Sequence, residues 1–525
     1  MRDFAALDDA FDVVVVGGGA SGLGAAVDAV SRGYKTALVE AVDFAKATSS
    51  RSTKLVHGGV RYLAEGDIGL VREALHERSA LRRNAPHLVS DLGFITPAYR
   101  WYEAPYYFTG LTAYDVLAGR SNFGRSRFLT ARGTLERAPA LCARGLRGSV
   151  RYHDGQFDDA RLSIALARTA IDRGAVVVNY ARVVGFERNG ARLRGVRVRD
   201  EESGGEASVR ARVVVNATGI FTDELRRADD AAARPLLSLS RGSHIVLPGK
   251  IFPGDDALLI PRTDDGRVLF VIPWHGRVLI GTTDIAEPQP SLDPVPRVDE
   301  IEYMLAHTSR YLERPLARSD VTAAYCGLRP LVNRAATTTA KLSREHVVET
   351  SASGLVTIAG GKWTTYRKMA QDTIDAAREV GGLAAAPSRT LNLPLHGSDG
   401  SGAAAGLPDP FALYGSDRTV IRALIAQEPT LGQPIHDALP YTRAEVVFAA
   451  RHELARTVDD VLARRTRAFF VDTAASAAAA PLVAGLLARE LGRSETWAQQ
   501  SADAYAALVQ PTLAVLSSDR GSLPG

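Results

Sequence analysis

Phe11-Asp12-Val13-Val14-Val15-Val16-Gly17-Gly18-Gly19-Ala20-Ser21-Gly22 decides the fold. An apolar run enters a glycine turn, and a helical pattern with Leu23, Ala26, Val27 and Val30 on one face follows. A second apolar run, Thr36-Ala37-Leu38-Val39, ends on Glu40. Strand, glycine turn, helix, strand and acid in this order are the dinucleotide fingerprint in its required context. Gly17 permits the tight turn, Gly19 lets the backbone approach a pyrophosphate, and Gly22 brings the helix close to the strand. The first helical amides face the anionic oxygens. Glu40 is placed to accept hydrogen bonds from an adenosine ribose.

Composition narrows the classes around this unit. At 525 residues the chain is too long for one core and implies two or three domains. With 46% hydrophobic and 23% charged residues it reads as ordinary globular protein. A net charge of +4 is small for this size and gives no argument for nucleic-acid binding. No apolar run reads as long enough to span a bilayer, and no signal peptide is read at Met1. Cys142 and Cys326 form no metal-ligand spacing, so no metal is expected and a reduced, cytoplasmic setting fits.

Farther along, the periodicity switches to short strands. Asn189-Gly190 is a hairpin turn between 183–188 and 193–198, and a third strand over 209–215 runs into Asn216-Ala217-Thr218-Gly219. By analogy of fold, such a three-stranded meander is more typical of FAD proteins than of simple NAD dehydrogenases. Strands over 243–248, 257–260, 268–273 and 278–281 predict a separate antiparallel sheet that roofs an active site. A buried strand over 355–359 ends at Gly360-Gly361-Lys362, and a helix to about 380 returns the chain to the first domain. The nucleotide domain is therefore expected in pieces, 1–90, 150–235 and 320–385, with a substrate domain of 91–149 and 236–319. A Gly/Ala/Ser/Pro-rich linker over 386–410 precedes a helical domain over 411–525.

Thr48-Ser49-Ser50-Arg51-Ser52-Thr53-Lys54-Leu55-Val56-His57-Gly58-Gly59-Val60-Arg61-Tyr62-Leu63 is the second dense segment. So many hydroxyls and small residues suit a backbone wrapped around a polar ligand, with Arg61 and Tyr62 placed to reach a substrate anion. The ordered set of this segment, Gly17–Gly22, Asp158–Leu162, Gly242–Val246, Ile280–Asp284, Gly327–Leu331 and Gly360–Arg367 resembles the FAD-dependent glycerol-3-phosphate dehydrogenases. The resemblance is close over 11–375 and looser through Arg464-Arg465-Thr466.

It implies an α/β FAD-binding Rossmann-like fold of the glutathione-reductase/D-amino-acid-oxidase type, with an antiparallel substrate domain and a C-terminal helical domain. It implies non-covalent FAD and oxidation of sn-glycerol 3-phosphate to dihydroxyacetone phosphate, with electrons leaving for a membrane quinone. A homodimer on the inner face of the cytoplasmic membrane is expected.

The residue roles follow from the chemistry and the motif matches. A phosphate dianion calls for guanidinium forks; Arg61, Arg329 and Arg344 match the family's pocket arginines, and Arg367 is a fourth candidate. Tyr62 is read as orienting the substrate. An imidazole suits removal of the C2 hydroxyl proton, which makes His244 the candidate base against the plainer reading of a hydrogen-bonded core histidine. Lys362, after two glycines, favours negative charge on reduced flavin or else holds the phosphate. The flavin contacts expected are Gly17, Gly19, Gly22, Glu40, Thr48, Ser49, Ser50, Lys54, Leu55, His57, Gly58, Gly59, Val183, Ala217, Gly219, Gly361, Lys362 and Thr364. Thr282, Thr283 and Asp284 read as closing a strand turn, outside catalysis.

The stretch 94–128 interleaves Tyr99, Trp101, Tyr102, Tyr106, Tyr107, Phe108 and Tyr114 with Arg100, Arg120, Arg125 and Arg127, a composition suited to a bilayer's headgroup region. Three other readings stand beside the dehydrogenase. They are a glycerol-phosphate oxidase using dioxygen, an amine or amino-acid oxidase of the same flavin fold, and a non-catalytic nucleotide-binding scaffold.

Overall fold

The computed structural model describes residues 2–60, 67–333, 346–399 and 409–518. Its first layer is an eight-stranded sheet ordered His346–Thr350, Leu355–Gly360, Glu206–Asn216, Ala10–Val16, Thr36–Val39, Val176–Val178. From Leu355–Gly360 to Val176–Val178 the strands run parallel. A parallel strand is buried on both faces, and the unbroken Val13-Val14-Val15-Val16 run is the sequence form of that. Val13 and Val15 pack with Leu23, Val27, Leu162 and Ile374. Those residues belong to the helices Ala20–Ser31, Asp159–Asp172 and Tyr366–Gly381. Val14 and Val16 pack on the opposite face with Val196, Val198 and Val209. That face is covered by the expected meander: Ala181–Asn189 pairs with Arg192–Asp200, which pairs with the leading half of Glu206–Asn216.

The second layer is a ten-stranded sheet. It contains the anticipated roof, Leu237–Pro248, Ala257–Ile260, Leu269–Trp274 and Arg277–Gly281. It also takes in Leu55–Val56, Val89–Ala98, Gly148–Phe157 and Ala323–Val332. The boundaries drawn at 90, 150 and 320 from sequence therefore cut or misplace strands of this sheet. Ala323–Val332 pairs along its whole length with Leu237–Pro248, in a register that sets Arg329 opposite Ser240 and Tyr325 opposite His244.

The stretch 386–399 is also more than a spacer. Leu393 and Leu395 are buried in the first core, Arg32 donates to the Ala386 carbonyl, and Asn84 donates to the Thr390 carbonyl.

The C-terminal helices Arg443–His452, Thr473–Leu491 and Glu495–Ser517 share one apolar core with the second sheet, where Phe470 and Val483 meet Trp274 and Tyr325, while Arg418–Gln427 packs through Ile421 and Leu424 on Val447 and Phe448. Thr473–Leu491 is, among the described residues, the helix long and apolar enough to cross a membrane, which the composition reading did not anticipate. Its buried face, including Ala479, Val483 and Leu487, packs inside this core.

Charge also ties the helices to the nucleotide layer. Arg464 Nε donates to Asp43 Oδ2 at 2.5 Å, and Arg465 bridges both Asp43 oxygens at 2.7 and 2.8 Å. All three side chains are buried. Burial alone pushes the Asp43 carboxyl up, but the two guanidiniums outweigh it and hold it below its ordinary value. Asp43→Ala takes from Arg465 its carboxylate partner and from Arg464 one of three, Asp459 and Asp460 remaining, and is expected to cost about 3–5 kcal/mol. A denaturant midpoint equal to that of the parent would contradict this tie.

Candidate active site

Gly17 sits at the end of the first strand with φ +111°, where a Cβ would meet the Ala217 carbonyl oxygen at 2.5 Å. A Cβ on Gly22 would stand 1.9 Å from the Gly17 carbonyl oxygen. The turn is therefore closed to any larger residue, and the 216–219 turn abuts it through a bond from Ala217 N to the Val16 carbonyl at 2.9 Å. The helix begins after Gly19 without a side-chain cap. Its first amide, on Ala20, donates to Ser49 Oγ at 2.9 Å. Glu40 accepts from the amides of Gly18 and Val42 at 2.6 and 2.9 Å. Burial pushes its carboxyl up, and the two amides offset part of that shift. Val183 lies two residues beyond Ala181, whose amide donates to the Glu40 carbonyl. A helix start whose N-cap is glycine, a side-chain-free turn and an acid at the second strand fit a dinucleotide pyrophosphate and ribose.

The 48–59 segment joins this turn to the second sheet. Thr48 Oγ1 donates to the Leu328 carbonyl at 2.6 Å, and Arg51 donates to the Cys326 carbonyl at 3.2 Å. From the other side, Trp363 Nε1 donates to the Ser49 carbonyl at 3.0 Å, and His57 N donates to Thr364 Oγ1 at 3.2 Å. Gly58 N donates to the Tyr114 hydroxyl, with Gly59 following. Leu55 is buried in the short strand paired with Gly155 and Gln156. Gly361 and Lys362 lead into a short 3-10 turn, Trp363–Thr365, before the helix Tyr366–Gly381. The helix therefore opens later than the sequence reading placed it. Gly219 begins the 219–221 turn beyond Ala217. The motifs, scattered over some 350 positions of sequence, thus close on one another.

On the roof, His244 and Arg329 face this loop from adjacent strands. Arg329 donates to Thr282 Oγ1 at 2.9 Å, the Thr283 carbonyl at 3.1 Å, Ser240 Oγ at 3.3 Å and the Arg241 carbonyl at 3.2 Å, with Asp284 at 3.7 Å. A quarter of its side chain stays exposed. Thr282, Thr283 and Asp284, set aside from sequence as a turn, are what orient this guanidinium. His244 is buried, stacks on Tyr325 at 4.7 Å and 11°, and has Thr53 Oγ1 2.9 Å from Nε2. Burial first, then Lys54 and Arg329, hold this imidazole well below its ordinary pKa, so it is neutral at working pH.

Two expected site residues are turned to other work. Arg367 is buried and forks onto Glu77, Nε to Oε2 at 2.8 Å and Nη2 to Oε1 at 2.6 Å. A guanidinium so paired is not available to a substrate phosphate. Lys54 has no exposure: its ammonium donates to Asp159 Oδ2 at 2.7 Å and the Ser50 carbonyl at 2.8 Å, inside a ring of Trp274, Tyr325 and Phe470. Burial brings it down to about 7 against the pull of Asp159. It braces the loop rather than meeting the cofactor. Arg61, Tyr62 and Arg344 lie outside the described residues.

Residues 12–367 match the FAD dependent oxidoreductase family, and 388–498 match the C-terminal domain of alpha-glycerophosphate oxidase. The mitochondrial glycerol-3-phosphate dehydrogenase of Rattus norvegicus is 42% identical over 93% of this chain and 72% of its own length. The chain belongs to the FAD-dependent glycerol-3-phosphate dehydrogenase family. The mitochondrial enzyme of Arabidopsis thaliana is also 42% identical, over 93% of this chain and 84% of that protein. The crystal structure of the Bacillus halodurans glycerol-3-phosphate dehydrogenase complexed with FAD matches with a TM-score of 0.79 at 28% identity, covering 99% of this chain and 98% of that one. FAD is the cofactor this site holds. Gly22→Ala forces its methyl onto the Gly17 carbonyl and is expected to yield colourless protein that does not regain flavin when FAD is added. Full reconstitution would contradict the close packing of this turn.

Proposed function

We propose that this protein oxidises sn-glycerol 3-phosphate to dihydroxyacetone phosphate. The observation that carries the reading is the pairing of a fixed guanidinium, Arg329, with a neutral imidazole, His244, on adjacent strands that face the cofactor loop. Arg329, held by two carbonyls and two hydroxyls, grips the phosphate with directed, charge-assisted bonds worth on the order of 1.5–3 kcal/mol each. Arg61, Tyr62 and Arg344 are assigned to the same pocket on their motif match. His244 accepts the C2 hydroxyl proton as the C2–H bond breaks. FAD, when bound, supplies the hydride acceptor at N5. Lys362, at the edge of the 363–365 turn, is assigned to the charge that collects on the reduced ring.

Electrons are proposed to leave for a membrane quinone. An exposed aromatic patch supports access to lipid: Trp101 (78% exposed), Tyr102, Tyr106, Phe108, Val116 and Phe128 crowd around the helix Glu103–Ala118. Arg100 and Arg132 are exposed in the same region. Exposed amphipathic rings interspersed with cations suit the headgroup layer. Trp101→Ser with Phe128→Ser is expected to reduce co-sedimentation with anionic phospholipid vesicles at least about threefold while leaving flavin reduction unchanged. Unaltered co-sedimentation would contradict this surface. The oxidase reading has the description of the C-terminal family match behind it, against dehydrogenase relatives over 93% of the chain. Rapid peroxide formation with poor turnover of a soluble quinone would establish it.

Two single-turnover experiments test the site. Arg329→Ala is expected to weaken glycerol 3-phosphate at least about tenfold, corresponding to 1.4 kcal/mol, with flavin retained; unchanged affinity would remove the phosphate role. His244→Ala is expected to slow flavin reduction about 10²-fold or more, and normal reduction would remove it as the base. Because His244 is held neutral, the parent rate is expected to stay level down to about pH 6, where an ordinary imidazole is already protonated.

A further inference from the structure

The stack on Tyr325 fixes the plane of the His244 ring, and Gly281 closes on it so tightly that a Cβ there would stand 2.2 Å from His244 Cδ2. Neither contact distinguishes the ring from its image after a half-turn about Cβ–Cγ, which keeps the plane and exchanges nitrogens with carbons. Among the described residues, His244 Nδ1 is buried without a hydrogen-bond partner. Thr53 Oγ1, 2.9 Å from Nε2, is the contact that chooses the flip, because the flipped ring would turn a carbon to the hydroxyl.

Thr53 is aimed by the residues on either side of it. Ser52 donates to Asp159 Oδ2 through its amide at 2.9 Å and its hydroxyl at 2.7 Å, and Lys54 Nζ donates to the same oxygen at 2.7 Å. The Tyr325 hydroxyl, on the ring that stacks with His244, donates to the Ser52 carbonyl at 2.8 Å. Asp159 Oδ1 accepts from Ala160 N and, from the C-terminal domain, from Arg467 Nη2, both at 2.9 Å. Arg467 also donates to the Ser50 carbonyl at 2.8 Å. The chain is thus pinned one residue before and one residue after Thr53 to a single buried carboxylate.

We propose that Thr53 is a positioning residue for the reaction: its hydroxyl bonds Nε2 and fixes the flip of the His244 ring, and the Asp159 anchor, closed by Arg467 of the C-terminal domain, holds that hydroxyl in place. This rests on reading His244 as the base. The C-terminal domain thereby takes part in the active site without contributing a group that touches the substrate.

The test compares Thr53→Val, which keeps the shape and removes the hydroxyl, with Thr53→Ser, which restores it. In anaerobic single turnovers of the FAD-loaded protein with glycerol 3-phosphate, Thr53→Val is expected to lower the limiting rate of flavin reduction about tenfold or more. Its dissociation constant for the substrate should stay within about twofold, and Thr53→Ser should recover most of the rate. In protein labelled with ¹⁵N-histidine, the His244 ring signals, assigned by their loss in His244→Gln, should shift in Thr53→Val and return toward the parent's in Thr53→Ser. Parent-like reduction in Thr53→Val, a Ser variant as slow as Val, or unchanged His244 ring signals would overturn the inference. His244→Gln separates the two levels. Normal reduction there removes the base and the inference together, whereas slow reduction there with a normal Thr53→Val removes the inference alone.

Discussion

Five donors close on the carboxylate of Asp159: the amide and hydroxyl of Ser52, the ammonium of Lys54, the amide of Ala160 and the guanidinium of Arg467. The group is fully buried, so it is tolerable only because its charge is shared among that many partners. It stands where three parts of the molecule meet: the loop after the dinucleotide turn, the helix Asp159–Asp172, and the C-terminal helices. The neighbouring clamp of Asp43 by Arg464 and Arg465 acts in the same direction, pressing the helical domain onto the segment that follows Glu40. Isolated surface ion pairs contribute little; these are buried and forked, and their removal leaves bare charge in a packed core.

The arginines of this chain therefore differ in how closely carboxylates hold them. Arg161, Arg367, Arg464, Arg465 and Arg467 are consumed by carboxylates inside the protein. Arg329 differs in degree: it donates to carbonyls and hydroxyls, has Asp284 at 3.7 Å, and keeps a quarter of its side chain exposed.

That distinction explains where the sequence was readable. The glycine turn, both flanking strands and the Val13–Val16 run announce themselves locally, because their requirements are backbone geometry and two-sided burial. The roof strands were legible for the same reason, whereas the strand Ala323–Val332 that joins them and brings Arg329 beside the His244 strand was not. Arg367 misled because its partner, Glu77, is 290 positions away, and an arginine in a motif looks alike whether it binds substrate or closes a core. Lys54 misled in the same way through Asp159. Thr282 to Asp284 were passed over because a turn and a guanidinium cradle have the same composition. The stretch 386–399 looked like a spacer since small residues dominate it, yet Leu393 and Leu395 suffice to seat it in the core.

The account stands on flavin and a three-carbon phosphoester meeting at His244 and Arg329. Its most direct test is the visible spectrum of the purified protein, recorded without oxygen before and after addition of sn-glycerol 3-phosphate. The yellow flavin band should bleach on that addition and return on exposure to an oxidant, with dihydroxyacetone phosphate formed in equal amount to the flavin reduced. A flavin band that ignores glycerol 3-phosphate but bleaches with an amino acid would contradict the account.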